Sequence, residues 1–144
     1  MSYPYFQVSK KSIYALQALL ELTLWGRTEP VNVQRLSRTR GIPGRFLEVI
    51  LNELKHGGFV MSVRGRAGGY LLAKDPDQIT MGQIIHFFER NNDSEKAISS
   101  DFAISNVIND INKTISEICD DMNLKDMAKQ EMKNKGGLAS NYVI

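Results

Sequence analysis

The stretch NVQRLSRTRGIPGRFLEVILNELKHGGFVMSVRGRAGGYLLA, residues 32–73, decides the fold. Asn32 is a residue type that caps helices, and Val33, Leu36 and Ser37 follow at helical spacing until Gly41. Only the Gly41-Ile42 turn separates this segment from a second one, where Pro43 falls in the first turn and its missing N–H costs little. Phe46, Leu47, Ile50, Leu51 and Leu54 give the second helix an inward stripe, and Gly57-Gly58 closes it. Two short helices across a tight glycine turn make a helix-turn-helix. Residues 59–63 then read as a strand and 70–73 as its partner, around the basic loop Arg64-Gly65-Arg66-Ala67-Gly68-Gly69. Such a hairpin after a helix-turn-helix is a wing.

Upstream, residues 10–25 read as a helix with two apolar stripes, Ile13, Leu16, Leu20 and Leu24 on one face and Ala15, Leu19 and Leu22 on another. A helix apolar on two sides is buried on two sides. Downstream, Thr80-Met81-Gly82-Gln83 has capping-box spacing and opens a helix through Ile84, Ile85, Phe87 and Phe88. Residues 90–101 are polar and read as a loop. A longer helix over 99–122 places Ile104, Val107, Ile108, Ile111, Ile115, Ile118, Cys119 and Met122 on one stripe, opposite Asn109, Asp110, Lys113, Glu117 and Asp120. One small winged helix offers limited surface to receive that stripe, so a second copy of the chain is its expected partner. Residues 123–126 allow one further short turn. The expected organisation is a winged helix-turn-helix DNA-binding region over 1–80, a linking helix, loop and dimerisation helix over 81–128, and a flexible tail over 129–144. The fold class is mainly α with a small β-hairpin wing.

Composition is that of a globular protein, 42% hydrophobic and 24% charged, with no apolar run near the ~18 residues that span a bilayer. No basic-then-apolar leader opens the chain, and the expected location is cytoplasmic. The single cysteine, Cys119, excludes an internal disulfide framework and a cysteine-only metal cage. Residues 1–75 carry 11 basic against 5 acidic side chains, whereas 76–144 carry 7 against 11. The basic half therefore suits a polyanion. On the second helix of the motif, Arg45 is placed to clamp a guanine or a phosphate, Glu48 to accept from a cytosine amino group, and Asn52 lies on the same outer face. Arg35, Arg38 and Arg40 add charge on the preceding helix. Two arginines, Arg64 and Arg66, at a hairpin tip have no structural reason, and Gly68-Gly69 lets the backbone approach a phosphodiester.

These segments, with YALQALLEL (14–22), RFLEVIL (45–51), VRGRAGGYLLA (63–73) and ITMGQII (79–85), resemble in order and spacing the Rrf-two family of bacterial winged-helix regulators over about residues 8–128. The expected function is a homodimeric, sequence-specific DNA-binding regulator, a repressor before an activator; the resemblance places Arg45 and Glu48 where family members read bases and makes the 99–122 helix the dimerisation helix. The expected partners are double-stranded DNA with a pseudo-palindromic operator and a small-molecule or protein effector, with oxidation at Cys119 ranked behind these as a signal, and no membrane. One departure is decisive. Cluster-binding members carry three closely spaced cysteines in the loop before the dimerisation helix, and residues 89–102 contain none. One thiolate does not hold an iron–sulfur cluster, so no cofactor and no metal are expected. The alternative is a winged helix that docks a protein and does not bind DNA specifically. An enzyme is not expected, because no nucleophile–base pair, phosphate loop or metal set is present.

Overall fold

The computed structural model describes residues 6–89 and 102–135. Helix α1 spans Lys10–Leu24, α2 Val33–Arg40 and α3 Gly44–His56. Strands β1 (Val60–Val63) and β2 (Gly69–Leu72) follow, then a single 3-10 turn at Pro76–Gln78, α4 (Met81–Glu89), α5 (Phe102–Asp121) and α6 (Leu124–Lys135). The expected class, mainly α with one hairpin wing, is the observed one.

Helix α1 is the hub, packed against α2, α3, β2, α4 and α6. Both of its apolar stripes contribute to the core, with Ala15, Leu16, Ala18, Leu19, Leu22 and Leu24 all buried. The small side chains Ala15 and Ala18 allow neighbouring helices to come close. Its N-terminus is closed by Ser9, whose hydroxyl accepts from Ser12 N, and by the Glu89 carboxylate of α4, which accepts from Ser9 N and the Ser12 hydroxyl. An anion at the positive end of a helix is favourable by up to about 1 kcal/mol at such a site.

The local signals of the helix-turn-helix are realised. Asn32 Oδ1 accepts from Arg35 N at 2.8 Å. Gly41 ends α2 with φ +66°, a left-handed conformation that a glycine adopts without strain. Leu47, Ile50, Leu51 and Leu54 seal α3 against the core, but Phe46 does not join them and is 57% exposed. Each helical residue turns by about 100°, which puts Phe46 at the edge of the stripe centred on Leu47, Leu51 and Leu54.

The wing pairs Val60 with Leu72 and Val63 with Gly69 in antiparallel register. Its inner strand is tied to the segment before α2 by reciprocal bonds between Val31 and Tyr70. The Thr80 hydroxyl accepts from Gln83 N, and Gln83 Oε1 accepts from Thr80 N, both at 3.1 Å, which completes the expected capping box.

The C-terminal end differs from the expectation. The chain does not loosen after 128: α6 runs to Lys135, with Leu124 and Ala128 fully buried and Asn123 capping its first turn through Asp126 N. It packs on α1 and on the 3-10 turn, and Leu124 N donates to Ile79 O. The expected loop at 90–101, the first residues of the expected 99–122 helix and the end of the expected tail lie outside the described residues.

Candidate nucleic-acid interface

Helix α3 divides into two faces. The buried stripe fixes its roll, and that leaves Arg45, Glu48, Val49 and Asn52 on the solvent side, as the sequence predicts. Val49, 53% exposed, and Phe46 add apolar surface beside these polar groups. With Tyr14, Pro43 and Ile50 they line an open cleft of about 690 Å³ between α1 and α3. Phe46, expected on the inward stripe, instead adds to this surface.

On α2, Arg35 and Arg38 are exposed. The Arg35 guanidinium lies 3.6 Å above the centre of the Trp25 ring, a cation–π contact that orders the side chain without neutralising it. Arg38 lines a shallow polar hollow with Gln34 and Ser37 of the same helix.

Arg40 is a correction. Its side chain is 13% exposed, and it spends its donors inside the protein. Nε donates to Glu21 Oε2 at 2.7 Å, and the two terminal nitrogens reach the two oxygens of Glu131, at 2.9 and 3.0 Å. Burial works against both charges here. The hydrogen bond Arg40 donates to Glu131 and the charges of Glu21 and Glu131 outweigh it and hold Arg40 above its ordinary value. Burial likewise opposes ionised Glu131, but hydrogen bonds from Arg40 and Lys135 keep that carboxyl below its ordinary range. A guanidinium so enclosed does not face a nucleic acid.

The wing tip presents Arg64 and Arg66, both exposed, in the connection between Val63 and Gly69. Gly65, φ +109°, shapes the turn. The two following glycines have a more local reason than expected. A Cβ on Gly68 would overlap the Val63 carbonyl, and one on Gly69, φ +153°, would overlap the backbone of Val31. They allow the hairpin to close and to pack on the segment before α2, and this packing places the arginines.

The second candidate surface is on α5. Ile104, Val107, Ile108, Ile111 and Ile118 are 50, 59, 44, 48 and 63% exposed, and Ile115 and Met122 are half-buried. Cys119 is the one buried residue of this helix, turned onto the body of the protein. Burial pushes its thiol up, and the charge of Asp120 adds to the shift. The aromatic packing of α4 belongs to the core: Phe87 meets Phe59 and Phe88 edge to face at 5.5 and 5.0 Å. Phe102 does not belong to that cluster and is 80% exposed.

No helix among the described residues is long and apolar enough to cross a membrane. No group of three or more His, Cys, Asp or Glu among them is placed to hold a metal ion.

Comparison with known proteins agrees with this geometry. Residues 8–130 match the Rrf2 family, described as an iron-dependent transcriptional regulator. An HTH-type transcriptional regulator of Synechocystis is 40% identical over 85 residues, and IscR of Cronobacter sakazakii is 36% identical over 90. The chain spans only 58% and 56% of the length of those two relatives. IscR of Sodalis glossinidius is 30% identical over 87% of this chain and 80% of its own. Among solved structures, CymR, the global cysteine regulator of B. subtilis, superposes with a TM-score of 0.78 at 28% identity, over 87% of this chain and 98% of that one. IscR of T. potens gives 0.76 at 31% identity, over 92% and 93%. The family description names iron; this chain has one cysteine, Cys119, and it is buried. These relatives are regulators and not enzymes. The chain is a member of the Rrf2 family of winged-helix transcriptional regulators.

Proposed function

We propose that this regulator binds a pseudo-palindromic operator in double-stranded DNA as a homodimer and represses transcription without an iron–sulfur cluster. The observation that carries the reading is the pairing of two unsatisfied surfaces. A basic winged helix exposes Arg38, Arg45, Arg64 and Arg66, and α5 exposes an apolar stripe that no other part of the described chain covers. Two copies joined along that stripe would hold two recognition helices for half-sites about 34–36 Å apart, one turn of the duplex. Arg45, Glu48 and Asn52 would read bases, while Arg35, Arg38, Arg64 and Arg66 would hold phosphates.

The direct test is selection of duplexes from a randomised pool by the purified chain, followed by titration at several salt concentrations. Recovery of a two-fold related sequence with steep salt dependence is expected. No duplex binding even at low salt would favour the alternative, a wing that docks an acidic protein surface.

Glu48 supplies a sharper expectation. Glu48→Ala should relax discrimination at one base pair by roughly 1–3 kcal/mol, with affinity for random duplex equal to wild type or higher, since an acidic charge is lost. Titration against single-position operator variants checks it, and a uniform loss across all of them would remove Glu48 from base reading.

Regulation then falls to a small-molecule or protein effector rather than to Cys119. A buried thiol with a raised pKa offers little thiolate to an oxidant. Treatment with a thiol oxidant should leave DNA affinity within about twofold, under ~0.5 kcal/mol. A tenfold effect abolished by Cys119→Ser would assign the thiol a regulatory role.

A further inference from the structure

The least expected group in the protein is a carboxylate with no exposure at all. Glu21 lies on the central helix and is 0% exposed. One oxygen accepts from Trp25 Nε1 at 2.6 Å and the other from Arg40 Nε at 2.7 Å. A buried carboxylate is tolerated only when it is paired, and removal of its cation leaves an uncompensated charge. Arg40 is therefore held in place from within. Its remaining face closes on Glu131 of α6 through two parallel bonds, the fork geometry that fixes orientation as well as distance. Lys135, one turn further on, also reaches Glu131 at 2.8 Å.

Position gives this cluster its meaning. Arg40 is the last residue of α2, next to Gly41, and the turn it precedes aims α3. Ile42, whose amide donates to Ser37 O, is buried in the same turn. Helix α6 is anchored independently of Arg40, by Leu124, Ala128 and the Leu124–Ile79 backbone bond. Only Met122 and Asn123 separate α6 from α5, the helix with the uncovered stripe. A continuous run of bonded and packed parts thus leads from the end of α5 through α6, Glu131 and Arg40 to the turn before α3.

We propose that Glu21, Arg40 and Glu131 form a clasp through which α6 sets the pose of α3, so that Arg40 and Glu131 are positioning residues for base readout and not contacts to DNA. The proposal rests on the DNA-binding reading above. It makes a prediction whose sign separates it from plain electrostatics. Removing an acidic charge from a DNA-binding protein strengthens its attraction to every duplex. Removing the clasp weakens binding to the operator alone, because a misplaced recognition helix loses its base contacts and keeps its phosphate contacts.

The experiment uses the full chain, with the duplex that the wild-type protein selects from a randomised pool and a random duplex as the two probes. Glu131→Gln keeps size and shape at a partly exposed site. It should bind the selected duplex about tenfold more weakly, within the range typical of coupling between sites, and the random duplex no more weakly than wild type. Arg40→Gln should show the same loss with an unchanged salt slope. The double variant should be no worse than the weaker-binding single variant, since both changes open one clasp. Amide hydrogen exchange on the free protein gives a second readout: Gly41 and Ile42 should exchange faster in Glu131→Gln, while the α1 core amides stay protected. Equal or tighter operator binding by Glu131→Gln with unchanged exchange overturns the clasp. A salt slope lowered by about one unit in Arg40→Gln would make that residue a phosphate contact and overturn it too. Failure of the wild-type chain to prefer any duplex overturns the DNA-binding reading itself.

Discussion

In the proposed α5 dimer, replacing Ile108 and Ile111 together with aspartate should yield a folded monomer and remove operator binding at concentrations where the wild type is saturated. Both side chains are 44–48% exposed in the single chain, so the substitutions leave its own core intact. In a two-fold seam the same positions face their counterparts, and two substitutions become four buried carboxyl groups. Burying an uncompensated polar group costs roughly 2–7 kcal/mol, so even the low end applied four times reaches about 8 kcal/mol. That equals the whole association free energy of a dimer with a Kd near 1 μM, about 8.2 kcal/mol. The operator is then met by one recognition helix at a time, and loss of bivalent engagement lowers affinity by about 10²–10⁴. Light scattering with circular dichroism and a duplex titration check both halves. A well-folded variant that remains dimeric would move the interface away from α5.

How far such surfaces are visible in a sequence depends on the range of the interactions that make them. The caps at Asn32 and Gly41 and the box at Thr80 and Gln83 are contacts within three to five residues, and residue type at fixed spacing is enough to place them. The α5 stripe is likewise a property of one helix. Arg40 was illegible for the opposite reason. Its partner Glu131 is 91 residues away, and Glu21 is 19 away on another helix, so an arginine at the end of a basic helix looked free. Helix α6 was missed beyond its first turn because its sequence is polar and its fully buried contribution is small, Leu124 and Ala128 with the half-buried Met127. Its helicity comes from packing on α1 rather than from a strong apolar pattern.

Glycine illustrates a subtler limit. In the sequence, Gly68 and Gly69 beside two arginines suggested close approach of backbone to a phosphate, and the chemistry of glycine permits that reading. The structure supplies a steric cause within the chain, since side chains there would meet the Val63 carbonyl and the Val31 backbone. The glycines thus serve Arg64 and Arg66 indirectly, by locking the hairpin onto the segment that leads into α2. Phe46 shows the same ambiguity at a stripe's edge: being apolar placed it inside, while its angular position leaves it 57% exposed.

The wing carries the second large expectation. Arg64→Ala with Arg66→Ala should weaken binding to all duplexes, selected and random alike, and flatten the plot of log K against log salt by about two units if both arginines meet phosphates, since each phosphate contact contributes a slope near 0.9. Both side chains are exposed at the tip, beyond the last paired residues Val63 and Gly69, so the change should leave stability almost untouched. A phosphate contact is insensitive to sequence, whereas a wing arginine inserted beside bases would discriminate among them. The ratio of operator to random affinity therefore separates the two roles. A preserved ratio with a flattened slope assigns the wing to electrostatic anchoring and leaves base reading to α3. A slope that keeps its wild-type value would mean that Arg64 and Arg66 do not touch the duplex, and the basic charge responsible would have to be sought on α2, at Arg35 and Arg38.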